Sequence, residues 1–139
     1  MADKGFRLTV LTEEKAVIDE TVNSIEVPGT EGYLGVLRSH AALVSALQPG
    51  TLTVTPLDRE PEIYAVSGGF IEIDRNTVTL LADSLERPEE IDTSRAERAA
   101  ERAREHLEKR ESGLDPLRAE AALKRALNRM KLARAHRRG

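Results

Sequence analysis

Residues 69–103 read GFIEIDRNTVTLLADSLERPEEIDTSRAERAAERA, and the spacing of their apolar residues changes partway along. Ile71 and Ile73 alternate with polar neighbours, and Val78 to Leu81 follow after Asp74-Arg75-Asn76. A period of two marks a strand with one buried face, and the polar triplet supplies the turn between two such strands. Past Arg87-Pro88 the small apolar residues Ala96, Ala100, Ala103 and Leu107 fall at i, i+4, i+7 and i+11. That is one stripe along an α-helix. The chain therefore changes architecture near residue 87.

Upstream of that point the strand signal repeats. Phe6, Leu8 and Val10 alternate with polar residues, as do Leu52 and Val54; Ala16 to Ile18, Val22 to Val27 and Ile63 to Val66 add further runs. Pro28-Gly29, Gly32, Gly35, Pro49-Gly50 and Ser67-Gly68-Gly69 punctuate them with residues that preset φ or tolerate positive φ. About eight to ten short strands at this spacing make a sandwich or barrel. No helix-period segment interrupts them, so a βαβ nucleotide fold is disfavoured.

Downstream, Asp92 can cap the first helix, and Ser94 with Glu97 offers an alternative capping box. Gly113 ends that helix, and Asp115-Pro116 supplies an N-cap with proline at the first helical position of a second one. The second stripe is Ala119, Leu123, Ala126, Met130 and Ala133. A connection of about four residues makes the helices antiparallel. The expected fold is thus an all-β sandwich over 1–86 followed by a C-terminal antiparallel two-helix hairpin over 87–139. An alanine seam holds its partners weakly, since a methyl-sized group contributes about 0.8 kcal/mol on burial against about 1.5–3 kcal/mol for a leucine. A firm front and a movable back are expected.

Composition narrows the function. Of 139 residues 40% are hydrophobic and only 3% aromatic, so stacking platforms for single-stranded nucleic acid are missing. The absence of cysteine excludes a disulfide framework and a thiolate metal site and fits a reducing compartment. No run approaches the roughly 18 apolar residues of a membrane span, so any membrane association is expected to be indirect. The charge is lopsided: residues 1–87 carry −7 and residues 88–139 carry +4. After Pro116 the bases Arg118, Lys124, Arg125, Arg129, Lys131, Arg134, Arg137 and Arg138 face the single acid Glu120. His40 follows Ser39, but no acid is placed by sequence to complete a triad, and Glu13-Glu14 and Glu89-Glu90 lack metal-ligand spacing. No catalytic and no metal-binding residue is expected.

Several stretches in order carry a resemblance. They are Gly32-Tyr33-Leu34-Gly35-Val36-Leu37 running to His40-Ala41-Ala42-Leu43, Ala65-Val66-Ser67-Gly68-Gly69-Phe70-Ile71-Glu72, and Val78-Thr79-Leu80-Leu81-Ala82. Ile91-Asp92-Thr93-Ser94-Arg95-Ala96 and Ala121-Ala122-Leu123-Lys124-Arg125-Ala126-Leu127-Asn128-Arg129 follow. Together they resemble the epsilon subunit family of F-type ATP synthases, in its bacterial form. The resemblance implies a non-catalytic central-stalk rotor subunit whose sandwich grips the gamma subunit and the c-ring. It also implies helices that reach the alpha and beta subunits of the catalytic head to inhibit ATP hydrolysis, on the cytoplasmic face of a bacterial plasma membrane. No cofactor is required and no nucleic acid is a partner.

The same resemblance points to particular residues. Ile91-Asp92-x-x-Arg95-Ala96 looks like the ATP-sensing motif of some bacterial members, and the match implies Glu86, Ile91, Asp92, Arg95, Arg102, Arg125 and Arg129 as nucleotide-binding candidates, with ATP as a regulatory ligand. Guanidinium forks can meet a triphosphate, and no Gly-x-x-x-x-Gly-Lys loop is present, so binding would be regulatory. The ordinary reading makes Asp92 a helix cap and pairs Arg95 or Arg102 with Glu97, Glu101 or Glu105. Tyr33, Arg38 and His40, with Arg118, Lys124 and Arg134 on the basic helix, are the partner-contact candidates. Arg38-Ser39 stands where members often carry Pro-Gly, so a different turn shape is expected there, and Tyr33 replaces an acidic residue of some members. The rival reading is a stand-alone adaptor whose basic hairpin binds an acidic partner or nucleic acid; the acidic front half opposes it.

Overall fold

A computed structural model of the chain describes residues 5–109 and 115–138, the last two by backbone alone. The expected stop at Gly113 lies outside the described residues, as do the side chains of Arg137 and Arg138. Nine strands are described: β1 (Phe6–Leu11), β2 (Ala16–Gly29), β3 (Gly32–Leu37), β4 (Leu43–Leu47), β5 (Gly50–Pro56), β6 (Glu62–Val66), β7 (Gly69–Asp74), β8 (Thr77–Ala82) and β9 (Leu85–Glu86). A 3-10 turn at Pro88–Glu90 leads to α1 (Thr93–Lys109), and α2 spans Pro116–Arg138. Two compact units result, divided between Leu85 and Glu86.

In the first unit the ladder runs β1-β8-β7-β4-β2-β5-β6-β9, with β3 on β2, and β1 pairs with β2 as well. That extra pairing closes the ladder on itself, so the inward faces share one core. The β1–β8 pair is parallel, whereas the others with a described register are antiparallel. Inward positions carry the apolar residues the alternation marks: Phe6, Leu8 and Val10 on β1, Leu52 and Val54 on β5, Ile71 and Ile73 on β7, and Val78 and Leu80 on β8.

Two departures from the sequence reading concern β2 and its neighbours. The expected strands Ala16 to Ile18 and Val22 to Val27 are one 14-residue strand, because the buried set changes phase from Ile18 and Val22 to Ile25 and Val27. A register irregularity against β5 between Val22 and Ser24 absorbs the extra residue, as a β-bulge does. The first half of β2 thereby pairs with β1 and the second with β3 and β5. Pro28-Gly29 is not a turn but the end of this strand, with Thr30 and Glu31 turning the chain. At Gly50 a Cβ would stand 2.6 Å from Pro28 Cβ and 2.9 Å from the Tyr33 hydroxyl, so only glycine permits that approach.

The second unit is built on small residues. Asp92 caps α1, its Oδ1 accepting from Arg95 N–H at 3.1 Å. Asp115 caps α2 in the same way through Leu117 N–H at 3.0 Å, with Pro116 at the first helical position. The helices pack on each other, and the buried positions are Ala96, Ala100 and Ala103 on α1 and Ala119, Ala126, Leu132 and Ala133 on α2. Leu107, Leu123 and Met130 are only half-buried. Arg129, in the later half of α2, returns to Glu86, just ahead of α1, so the two helices are antiparallel.

Candidate functional site

The nucleotide-site candidates all lie in the second unit, and a two-pronged ion pair joins two of them. Arg129 Nε donates to Glu86 Oε1 at 2.7 Å and Nη2 to Oε2 at 2.9 Å, with both side chains about a quarter exposed (24% and 26%). This planar fork-on-carboxylate geometry is the stronger kind of charge-assisted hydrogen bond. Arg125, one turn earlier, is half-buried. Asp92 is committed to the α1 cap and Ile91 is buried, 7% exposed. Arg95 and Arg102 are exposed, seven residues apart and hence on nearly the same side of α1.

Among the basic partner-contact candidates, Arg118, Lys124 and Arg134 are all exposed. Lys124 and Arg134 share a face with Lys131 and the exposed Leu127, at spacings of three and seven, whereas Arg118 lies between a third and half of a turn round. The face combines cationic heads with an apolar side chain, which suits an acidic surface that also has some greasy area.

Tyr33 lies at the start of β3, opposite Pro28, whereas Arg38 and His40 follow its other end, beyond Leu37 opposite Ser24. The Tyr33 hydroxyl accepts from Thr51 N–H at 3.0 Å, so the ring bridges β3 and β5 while remaining 55% exposed. Arg38 and Ser39 form the turn that leaves β3. His40 N–H donates to Leu37 O at 3.2 Å, and Ser39 sits at φ 66. A left-handed residue in the third place of a four-residue turn, after a residue without positive φ, is the type II pattern, which ordinarily takes glycine there. Serine here adopts the conformation that glycine ordinarily supplies. His40 Nδ1 lies 2.7 Å from Ala41 O; a carbonyl oxygen only accepts, so Nδ1 carries the proton.

Three features were not singled out in the sequence. Outward-facing residues Ala46, Phe70, Leu81 and Leu11 stand in register across β4, β7, β8 and β1, and Phe70 and Leu81 are 57% and 52% exposed. Val44, also exposed, extends this apolar strip toward the turn at residues 37–40. Their parity, opposite to Ile71 and Leu80, was the available signal. Gln48 Nε2 donates to Gly29 O at 2.6 Å and Thr30 O at 3.0 Å, tying two turns together. Asn76 Oδ1 accepts from Ser39 N–H at 2.7 Å, a link between residues 37 apart that no local pattern announces.

Arg59, in the loop before β6, donates to Glu20 at 2.9 Å and Glu62 at 3.2 Å. Hydrogen bonds to Glu20 first and then to Glu62 hold its guanidinium pKa above its ordinary range, so it stays charged at any working pH. Among the described residues no group of three His, Asp or Glu side chains could hold a metal ion, and no helix is long and apolar enough to cross a membrane.

A β-sandwich with an exposed apolar strip, followed by a pair of helices of which the second is basic, defines the class of protein these residues build. Residues 5–88 match the beta-sandwich domain of the ATP synthase delta/epsilon chain, and residues 89–134 match that family's long alpha-helix domain. The chain is 48% identical over 131 residues to an ATP synthase epsilon chain of Moorella thermoacetica, covering 94% of this chain and 98% of that one. With the epsilon chain of Carboxydothermus hydrogenoformans it shares 49% identity over 110 residues, 79% and 81% of the two chains. A chain in the cryo-EM structure of the Euglena gracilis mitochondrial ATP synthase superposes with a TM-score of 0.81 at 26% identity, over 91% of this chain and 79% of that one. A chain from the central stalk and c-ring of the Tetrahymena thermophila enzyme shares the fold, with a TM-score of 0.60 at 18% identity over 96% and 98%. This chain belongs to the ATP synthase delta/epsilon chain family.

Proposed function

We propose that this chain is a non-catalytic central-stalk subunit of a proton-translocating F-type ATP synthase, peripheral to the cytoplasmic face of a bacterial plasma membrane. The observation that carries the reading is the match to ATP synthase epsilon chains along 94% of the chain, through both the β unit and the helices. The first unit grips the gamma subunit and the c-ring. The apolar strip of Phe70, Leu81 and Val44 supports this, because a contiguous exposed apolar surface suits a lasting protein contact. Arg38 and His40, in the turn that leads toward β4, add polar contacts beside it, and Tyr33 adds one at the other end of β3. The helices reach the catalytic head, where Lys124, Arg134 and Arg118 meet acidic segments of alpha and beta and inhibit ATP hydrolysis.

ATP acts as the regulatory ligand of the helix pair, held by Arg129 and Arg125 with Arg95 and Arg102. The Glu86 carboxylate supports the reading by holding the Arg129 guanidinium in one orientation before a ligand arrives. A ligand binding only the closed pair stabilises it by about 2.7 kcal/mol at a hundredfold excess over its dissociation constant.

Two experiments test these statements. The full chain added to a complex stripped of it should co-purify with gamma and lower ATP hydrolysis, whereas a chain ending at Arg87 should co-purify without lowering it. Equal hydrolysis with both would remove the inhibitory role, and failure of either to associate with the complex would favour a stand-alone adaptor. Calorimetry with ATP should give binding that Arg125→Ala weakens at least tenfold; an injection heat equal to buffer would leave the arginines as surface charge.

A further inference from the structure

We infer that Asn76 is a positioning residue for partner binding: it locks the turn at residues 37–40 in the shape that presents His40. The inference rests on the proposed contact between this edge and the gamma subunit or c-ring. Asp74 pairs with Thr77 at the end of β7 and β8, and the two residues between them, Arg75 and Asn76, have φ 48 and 60. This is the two-residue turn with both central residues left-handed, in which asparagine is favoured. The tip so formed is anchored, because Arg7 N–H donates to Asn76 O at 3.0 Å. From that fixed backbone the carboxamide reaches out, and its Oδ1 accepts from Ser39 N–H at 2.7 Å.

Ser39 needs such help. It is left-handed at φ 66, a conformation that disfavours any residue with a Cβ, and serine lacks the carboxamide that makes asparagine tolerant of it. The hydrogen bond from its own N–H therefore opposes the tendency of the turn to relax. Holding Ser39 also holds its neighbour. His40 N–H closes the turn on Leu37 O, and its Nδ1–H is spent on Ala41 O. Nε2 is then the ring nitrogen that remains for a partner, an acceptor when the imidazole is neutral. The loop then enters β4, whose exposed Val44 begins the apolar strip, so the turn and the strip are close along the chain.

Asn76→Gly tests this without disturbing the β7–β8 turn, since glycine keeps positive φ and only the carboxamide is lost. In the isolated full-length chain, hydrogen exchange of the Ser39 amide should quicken about tenfold, the scale of one net hydrogen bond. Asn76→Asp, which keeps the acceptor, should leave it near the parent rate. Titrated against a complex stripped of this chain, Asn76→Gly should bind about tenfold more weakly, and Asn76→Asp within about twofold of the parent. In a His40→Ala background, Asn76→Gly should add nothing. Unchanged Ser39 exchange in Asn76→Gly overturns the brace. Parent-like affinity of Asn76→Gly beside weakened His40→Ala overturns the positioning role while leaving the edge as a contact. Parent-like affinity of both variants, with exchange accelerated, removes the edge contact itself.

Discussion

The two units hold themselves together by different means. In the β unit Leu8, Val10, Val22, Leu52, Val54, Ile71 and Leu80 are completely excluded from solvent. Among the described residues of the helical unit the completely excluded side chains are Ala96 and Ala100. A leucine contributes about 1.5–3 kcal/mol on burial and an alanine methyl about 0.8 kcal/mol, so the first unit has a large reserve and the second a small one. What the helices lack in apolar area they recover in part from directed contacts: caps at Asp92 and Asp115 and the fork between Arg129 and Glu86. Directed contacts of this kind can be exchanged for others, with a partner or a ligand, at little net cost. An aliphatic core cannot.

The contrast can be broken or sharpened by substitution. Leu80→Ala should have the largest effect, about 3 kcal/mol from lost burial and the cavity left behind, read as a lower denaturation midpoint of the sheet. Amide exchange in α1 and α2 should stay as it was; joint loss would mean the units are not energetically separate. Ala100→Leu puts a large side chain into a seam sized for methyl groups and should cost about 2 kcal/mol, measured as faster exchange in both helices with the sheet unchanged. Glu86→Ala leaves the Arg129 guanidinium without its carboxylate and should cost about 1.5 kcal/mol, seen as faster exchange around residues 126–133. Asp92→Ala removes only a cap, about 1 kcal/mol, and should speed exchange at the Arg95 amide while Asp92→Asn largely preserves it.

Several of these elements can be read from local pattern. The alternations of β1, β5, β7 and β8 and the alanine stripes of both helices need only near neighbours in sequence to be recognised, and the caps at Asp92 and Asp115 are local by nature. β4 escaped, because Leu43-Val44-Ser45-Ala46-Leu47 has an apolar residue on both faces: Leu47 goes inward and Val44 outward to the exposed strip. β2 was divided, because a bulge shifts the phase of its alternation and so mimics the end of one strand and the start of another. At the candidate sites the residue types were legible and their assignments were not. Arg129 could be named as a guanidinium fork, but its partner Glu86 lies 43 residues away.

By itself the sequence determined the change from strands to helices near residue 87, most of the strands, the weak alanine packing of the helices and the basic character of α2, since each depends on residues within a few positions of one another. Tertiary structure alone decided how the ladder closes through β2, that Asn76 braces Ser39, that Glu86 holds Arg129, and which outward side chains line up as one apolar strip. The physical reason is distance along the chain: such contacts form only once packing has brought remote segments together, and a short polar or apolar side chain carries no mark of which remote partner it will meet.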